Sequence, residues 1–201
     1  MEVQAHGNLF EDVKTREITG LSKEEYDKLK SNGYTSSMDI VKGLHSDIDV
    51  SIKTAKGKKV DCGDVLRRRA EFEYDIVIGQ WAQAGDNKVF HTEYTFHIKP
   101  EHETLLWGRM SYEKLREFNE YIKSIPEGRT AQQETKVERQ VLKTITEDAD
   151  AQMKIHPKVD SKKQRRVQCS FNIDRLIKAG VEYEARPIRL TIDSKTRTFN
   201  K

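Results

Sequence analysis

The sequence predicts an α/β fold in a single domain, with a central mixed β-sheet flanked by helices. The chain has 201 residues, a length that suits one ordinary domain. Apolar residues recur at helical spacing near the start and in the middle of the chain, and other segments alternate apolar and polar residues as strands do. The expected domain spans residues 1–201, with a core at about 6–100 and a helical, basic part at about 101–201.

The first third of the chain predicts two helices followed by two strands. Apolar residues at helical spacing predict a helix over residues 8–19, and a capping-box pattern that starts at Ser22 predicts a second helix as far as Lys30. A short strand is expected at 38–41 and a longer one at 47–54, where apolar and polar residues alternate. The polar face of the longer strand carries Asp47, Asp49, Ser51 and Lys53.

The next third predicts a helix at 61–70 and strands at 74–81 and 88–98. One face of the last strand carries possible metal ligands. We interpret this face as a solvated edge, because zinc sites usually show a tighter and more complete ligand set. Its residues are His91, Glu93 and His97.

The remaining elements are a pair of helices, a loop and two strands. Ser111 caps a helix with an apolar stripe, and another helix is expected around 137–145. Residues 154–166 lose this periodicity and are mostly polar and basic, so a loop is expected there. Alternation returns at 167–173 and 186–192, which predicts strands.

Composition limits the classes of protein to which the chain can belong. Lys and Arg total 36 against 33 Asp and Glu, a formal net charge of +3, so any affinity for nucleic acid has to come from local basic clusters. No run approaches the roughly 18 apolar residues of a membrane helix, and Met1–Gly7 lacks the features of a secretion signal. We therefore expect a cytoplasmic protein that does not enter a membrane. Cys62 and Cys169 are far apart in sequence and are expected to be two reduced thiols.

Asp39 and Lys53 are the residues that point to chemistry. Hydrolysis of a phosphodiester needs one or two hard cations held by carboxylates, which polarise the phosphate and lower the pKa of the attacking water. A lysine beside them orients that water and offsets developing negative charge. Asp39 ends one predicted strand and Lys53 lies on the next, so we expect the two side chains to meet. The alternative is that both are ordinary solvated charges.

The segments around these residues resemble the PD-(D/E)xK nucleases, especially type II restriction endonucleases. The resemblance covers roughly residues 6–81 and rests on Gly7-Asn8-Leu9-Phe10-Glu11-Asp12, Met38-Asp39-Ile40 and Val50-Ser51-Ile52-Lys53. It implies a restriction-endonuclease-like core that uses Mg²⁺. It also implies that Asp39 is the first metal-binding aspartate, Lys53 the motif lysine and Glu11 the acid of the first helix.

Two positions depart from the family pattern. Met38 replaces the proline, and Ser51 stands where the second acidic residue belongs. Some restriction enzymes of the family with serine there take the missing acid from the following helix, which implies Asp61 or Asp64, and Asp49 is the competing candidate. The candidate catalytic residues are Asp39, Lys53, Asp64, Asp61, Glu11 and Ser51, and the candidate metal ligands are Asp39, Asp64, Asp61 and Asp49.

Two basic clusters are candidate DNA contacts. Lysine anchors phosphates, whereas Arg, Asn and Gln can read base edges. The densest cationic stretch supplies the candidates Lys158, Lys162, Lys163, Gln164, Arg165, Arg166 and Gln168. A second cluster, which follows the predicted metal acids and suits the scissile backbone, consists of Arg67, Arg68 and Arg69. The competing interpretation of the first cluster is a solubilising loop.

These observations and the resemblance predict a sequence-specific endonuclease that cuts double-stranded DNA with Mg²⁺ and leaves a 5′-phosphate. A homodimer is expected if the site is palindromic, because a two-fold protein matches a two-fold sequence. The family also implies a cognate DNA methyltransferase, since a host must protect its own sites. The alternatives are a catalytically idle nucleic-acid-binding protein, a structure-specific resolvase or repair nuclease on the same core, and an interaction module with no nucleic-acid role.

Overall fold

The computed structural model describes residues 5–30, 38–128, 136, 151–160 and 163–193. Its helices are α1 (Ala5–Thr19), α2 (Lys23–Leu29), α3 (Val65–Arg69), α4 (Glu103–Trp107), α5 (Tyr112–Ser124) and α6 (Ile173–Lys178). Its strands are β1 (Val50–Ala55), β2 (Lys59–Asp64), β3 (Tyr74–Ala84), β4 (Asn87–Ile98), β5 (Lys154–Val159), β6 (Arg165–Asn172) and β7 (Tyr183–Asp193). The predicted α/β fold class is confirmed.

The chain divides into two compact units. The first unit takes the chain as far as Val60, then Glu73–Ile98, and then the C-terminal segment from Val181. The second unit takes Asp61–Phe72 and Lys99–Gly180. The last strand of the chain therefore belongs to the same unit as Asp39 and Lys53.

The first unit is built on a mixed four-stranded sheet with the order β1-β3-β4-β7. Strand β1 runs parallel to β3, with Val50 opposite Asp75 and Ala55 opposite Gln80. The β3–β4 and β4–β7 pairs are antiparallel. The alternation seen in the sequence fits this arrangement, because one side of each strand faces an apolar core.

Helix α1 packs on one face of this sheet through an aromatic contact. The rings of Phe10 and Phe90 stack with their centroids 4.8 Å apart. Gly79 permits this close approach, because a Cβ atom there would lie 2.5 Å from Cζ of Phe10. The contact fixes α1 on the sheet and so positions Glu11, the next residue along. The buried core around it also contains Tyr26, Ile40, Val50, Ile52, Val77 and Ile192.

The free edge of β1 is partly covered by the residues before it. Ile40 forms an antiparallel bridge with Val50, and the Asp39 and Ile40 amides both donate to the Val50 carbonyl at 2.9 Å. The predicted strand at 38–41 is thus a single bridge. The strand predicted at 47–54 begins only at Val50, since the preceding residues form a bend in which Ser46 Oγ donates to the Ile48 carbonyl at 2.7 Å.

The second unit contains a three-stranded antiparallel sheet with the order β2-β6-β5. Cys62 on β2 and Cys169 on β6 are both buried, and their thiols hydrogen-bond to each other although they are far apart in sequence. That hydrogen bond, together with burial, raises the pKa of the Cys169 thiol well above its usual value of 9.0. Neither Cys62 nor Cys169 forms a disulfide, so both are thiols as expected.

The helix predicted at 61–70 is wrong in its first half. Residues 59–64 form β2, because Val60 and Cys62 alternate as buried residues with exposed neighbours. Gly63 then takes a φ of +81°, a conformation suited to glycine, and the Asp64 side chain accepts hydrogen bonds from the first amides of α3. The helix itself covers only Val65–Arg69.

The loop predicted at 154–166 is also wrong over its first half, where β5 pairs with β6. Pro157 breaks the sequence signal for a strand, but a proline is tolerated on an edge strand, and β5 lies at the edge of its sheet. The short helices α4 and α6 were not predicted. The helix predicted around 137–145 lies outside the described residues.

Among the described residues, no helix is both long and apolar enough to cross a membrane.

Candidate active site

The Asp39 carboxylate takes the place of a strand partner at the edge of β1. Its Oδ2 accepts the Ile52 amide at 2.6 Å and the Ser51 hydroxyl at 3.3 Å. Because Ile40 bridges to Val50, the Asp39 carboxylate occupies the position at which a neighbouring strand would hydrogen-bond to the Ile52 amide. The backbone pairing of these segments therefore fixes the position of the carboxylate.

Lys53 reaches over the same strand edge to Asp39. Its Nζ lies 2.9 Å from Asp39 Oδ2 and 2.8 Å from the Ile52 carbonyl oxygen. Both partially buried side chains expose less than a quarter of their surface. The expected meeting of Asp39 and Lys53 is therefore found, and the Ile52 carbonyl joins them, which the sequence did not indicate.

Glu11 on α1 is the second carboxylate of this group. Burial raises its pKa, and the negative charge of Asp39 raises it further, although Lys23 and Lys53 act in the opposite direction. The Lys23 ammonium lies 2.7 Å from Glu11 Oε1. Two carboxylates that repel each other in a partly buried position attract cations, and the Lys23 and Lys53 ammonium groups meet part of that demand in this structure.

Charged residues on α2 and just after it form ion pairs beside the site. Asp27 pairs with Lys23 at 2.8 Å and with Lys30 at 2.7 Å, and the Lys30 Nζ also donates to the Asp39 carbonyl at 2.8 Å. Burial acts to raise the pKa of Asp27, but the hydrogen bonds from Lys23 and Lys30 outweigh it and hold this pKa below its usual value. The i,i+4 and i,i+3 spacing of these residues is the sequence signal that could have revealed them.

Ser51 and Asp49 have structural partners. Ser51 is fully buried, and its hydroxyl points to Asp39, so it orients the carboxylate that it was expected to accompany. Asp49 Oδ1 accepts the Lys42 amide at 2.7 Å, which holds the turn before β1. The role of Asp49 as a substitute for the missing motif acid stays a prediction.

Asp61 and Asp64 belong to the second unit. Asp61 is exposed on β2, and Asp64 Oδ1 accepts the amides of Leu66 and Arg67, each at 3.0 Å, as the N-cap of α3. A capping role occupies the Asp64 carboxylate. Glu11 is therefore the acid that the geometry brings into the electrostatic reach of Asp39, and the role predicted for Asp61 or Asp64 stays a prediction.

The group offers the Asp39 carboxylate and the Ile52 carbonyl oxygen at the edge of β1, and the Glu11 carboxylate on α1, whose pKa the charge of Asp39 raises. Among the described residues, no cluster of three or more His, Cys, Asp and Glu side chains is arranged to hold a metal ion. Mg²⁺ needs fewer protein ligands than such a cluster, since it keeps several waters and commonly binds through one or two carboxylates. The oxygen donors of Glu11, Asp39 and Ile52 suit a hard cation of this kind.

The predicted DNA-contacting segment includes a ribbon formed by β5 and β6, which together with β2 makes the three-stranded sheet of the second unit. Lys158 stands opposite Arg166, and His156 opposite Gln168, on β5 and β6. Like charges directly opposite each other are destabilising unless an anion lies between them. Lys163 and Gln164 are exposed at the end of the ribbon, and Lys162 lies outside the described residues.

Arg165 is bound within the protein. Its guanidinium donates to the carbonyls of Ile125 at 2.7 Å and Pro126 at 2.6 Å, and to those of Asp160 and Gln164 at 2.9 and 2.8 Å. Base reading by Arg165 would require these bonds to break, so the geometry favours the exposed Arg166 for DNA contact.

The arginine run on α3 is mostly buried. Arg68 and Arg69 are 3% and 9% exposed, and Arg69 pairs with Glu103 at 2.5 Å and lies over the Trp107 ring. Of this run, only Arg67 is exposed. Arg67 is therefore the one arginine of the three that remains a candidate for contact with the DNA backbone.

The strand face at His91, Glu93 and His97 is exposed as predicted only at His91. Strand β4 lies inside the sheet, and Glu93 is 5% exposed, with its Oε2 2.7 Å from Lys14. Arg186 also binds Glu93, at 2.8 Å. His97 pairs instead with Asp75, at 2.8 Å between Nδ1 and Oδ1. The sequence interpretation failed because β7 adds to the far side of β4.

Comparison of the chain with protein-family models, with curated proteins and with solved structures finds no match.

Proposed function

We propose that this protein is a Mg²⁺-dependent endonuclease that hydrolyses phosphodiester bonds in double-stranded DNA at specific sequences. One observation carries the proposal. The Lys53 ammonium lies 2.9 Å from the Asp39 carboxylate and 2.8 Å from the Ile52 carbonyl. The negative charge of Asp39 also raises the pKa of Glu11. A positive group held by oxygen atoms at a strand edge marks a position that favours cations.

Glu11, Asp39 and the Ile52 carbonyl are the groups that would hold Mg²⁺. When bound, the cation would supply Lewis-acid stabilisation of the phosphate and a lowered pKa for a coordinated water. The Glu11 carboxylate has to be deprotonated for this role, and its raised pKa means that protons compete for it.

Lys53 has a separate role in the proposal. Its ammonium is tethered to Asp39 and Ile52 by two hydrogen bonds, so it stays beside the position where the carboxylates would hold Mg²⁺ and a phosphate would bind to that cation. There it holds a positive charge against the developing negative charge of the transition state and orients the attacking water through its N–H groups. Ser51 keeps the Asp39 carboxylate aligned.

The β5–β6 ribbon supports the choice of DNA as substrate. Lys158 and Arg166 stand directly opposite each other on β5 and β6, and a phosphate between them would relieve the repulsion of their like charges. Sequence specificity would come from Arg166 and Gln168, which can bond to base edges. We further propose a homodimer on a palindromic site and a companion DNA methyltransferase.

The decisive experiment is incubation of the purified chain with plasmid DNA in Mg²⁺ and in EDTA. Discrete fragments with Mg²⁺ only are expected, and Asp39→Asn and Lys53→Met should reduce cutting by at least about 100-fold. Asp47→Asn is the matched control, since Asp47 is exposed just before β1. Circular dichroism of each variant separates loss of chemistry from loss of fold.

Each rival function gives a different result. Binding of DNA that persists in EDTA, with no cutting in Mg²⁺ by the wild-type chain, indicates an idle DNA-binding protein. Cutting of branched or damaged DNA in preference to plain duplex indicates a structure-specific nuclease. Normal cutting by a folded Asp39→Asn variant refutes the proposed site.

A further inference from the structure

Two lysines lie near Trp81 at one end of the first unit's sheet. Ala55 of β1 stands opposite Gln80 of β3, which brings the next residue, Lys56, to the level of Trp81, and Lys88 lies over the Trp81 ring. Lys56 is exposed in the turn after β1, and Lys88 lies on β4 with only 8% of its surface exposed. The two charges are close enough that Lys56 adds to the effect of burial in lowering the pKa of Lys88. Among the described residues, neither lysine forms an ion pair.

The position of Lys88 is set by an aromatic ring. Its Nζ lies 4.2 Å from the centroid of the Trp81 ring, on the neighbouring strand β3. An ammonium over an aromatic face is attracted by the ring quadrupole, which holds it without neutralising its charge. Lys88 therefore remains a positive group that can accept an anion.

The turn that carries Lys56 is also fixed. Gln80 Nε2 donates to the Gly57 carbonyl at 3.1 Å, and Lys58 of the same turn lies over the Tyr94 ring at 5.6 Å. The turn that carries Lys56 is thus tied to β3 and β4, the strands that carry Trp81 and Lys88. Two like charges that the fold brings together make the free protein less stable and an anion complex more stable.

We propose that Lys56 and Lys88, beside the face of Trp81, form a binding site for a backbone phosphate of DNA. The proposal rests on DNA as the proposed substrate and names a contact surface that the sequence did not indicate. Lys56 follows Lys53 by three residues, which is about 10 Å along an extended strand. At about 3.4 Å of rise per nucleotide of one strand, the two lysines would hold the backbone roughly three nucleotides from the cleaved bond.

The test measures DNA binding without cleavage, by fluorescence anisotropy of a labelled duplex in EDTA across a range of salt concentrations. The variants are Lys56→Ala, Lys88→Met and both together. Each phosphate contact contributes about one unit to the slope of log affinity against log salt, so the double variant should lower that slope by about one, equally for all sequences. Lys42→Ala, an exposed lysine before β1, is the matched control and should leave the slope unchanged.

A second readout distinguishes a binding role from a structural one. Because Lys88 is held near a like charge, Lys88→Met should keep or raise the melting temperature of the free protein while it weakens DNA binding. A lower melting temperature together with an unchanged salt slope overturns the proposal. Inorganic phosphate should compete with the duplex at this site if phosphate alone is recognised, and no competition would indicate that the duplex backbone is required.

The outcome is separable from the test of cleavage. If the wild-type chain cuts plasmid DNA and the double variant binds duplex as tightly as wild type, the phosphate site is refuted and the nuclease function is supported. If the wild-type chain does not cut DNA but the salt slope of the double variant drops as expected, the phosphate site is supported and the nuclease function is refuted.

Discussion

Gly79 offers a way to move Glu11 without altering any group of the candidate active site. In Gly79→Ala the new Cβ would lie 2.5 and 2.6 Å from two ring atoms of Phe10 and 2.8 Å from Phe90. Ordinary contact begins at 3.4 Å, so Phe10 or the helix that carries it has to retreat by about 1 Å. Overpacking of this kind costs about 1–3 kcal/mol of the free energy of unfolding.

The same shift displaces Glu11 relative to Asp39, because Glu11 follows Phe10 in α1. A displacement of about 1 Å at a reacting centre costs roughly 100-fold in rate. We therefore expect Gly79→Ala to unfold at a lower urea concentration and to cut DNA about 100-fold more slowly. Gly57→Ala is the matched control, since a Cβ there meets nothing within 4 Å, and Phe10→Leu should partly rescue Gly79→Ala by removing the clashing ring.

Two results would refute this reasoning. Equal urea midpoints for Gly79→Ala and Gly57→Ala would mean that Phe10 does not lie over residue 79. Reduced stability with undiminished cleavage would mean that the position of Glu11 relative to Asp39 is irrelevant, and Glu11 would lose its role as the second carboxylate.

Three other predictions follow from single residues. The native pKa of Glu11 lies above its usual 4.5, so the native protein binds a proton there more tightly than the unfolded chain does, and its stability falls as pH rises from 4.5 through the raised pKa. Glu11→Gln should remove this fall from a profile of stability against pH measured by urea denaturation. An unchanged profile contradicts the assignment. Arg165→Ala should lose about 2 kcal/mol of stability with its carbonyl hydrogen bonds, whereas Arg166→Ala should weaken DNA binding at normal stability; a swapped pattern of the two would reverse their roles. Alkylation of Cys169 should be slow in the native protein and fast in denaturant, as followed by mass spectrometry, because the Cys62 hydrogen bond and burial keep it a neutral thiol; rapid native labelling would contradict this placement.

The elements with a regular pattern were predictable from the sequence. The capping box at Ser22 is present, with the Glu25 side chain accepting the Ser22 amide at 2.9 Å, and the apolar stripe of α5 is buried as expected at Leu115, Phe118 and Ile122. Both depend on interactions within a few residues. Local periodicity therefore sufficed for them.

Features that depend on distant partners were not predictable. Pro157 concealed β5, since only the position of a strand in its sheet decides whether proline is tolerated. Glu93 is buried because Lys14 and Arg186 arrive from far along the chain. In the candidate site, the contact between Asp39 and Lys53 could be predicted because the two residues lie on neighbouring elements of the chain. The hydrogen bonds from the α3 amides to Asp64 could not be predicted without knowing where β2 ends.

The hydrogen bond from the Ile52 amide to Asp39 also pairs a backbone donor on the outer edge of β1. An exposed strand edge with unpaired amides is a template for pairing with other chains, and the Asp39 carboxylate blocks the outer edge of β1 at the amide of Ile52. Substitution of Asp39 by a residue without an acceptor would open that edge and favour aggregation. Lys53→Met leaves the edge closed, which makes it the better inactive variant for trapping and crystallising a complex with uncut DNA.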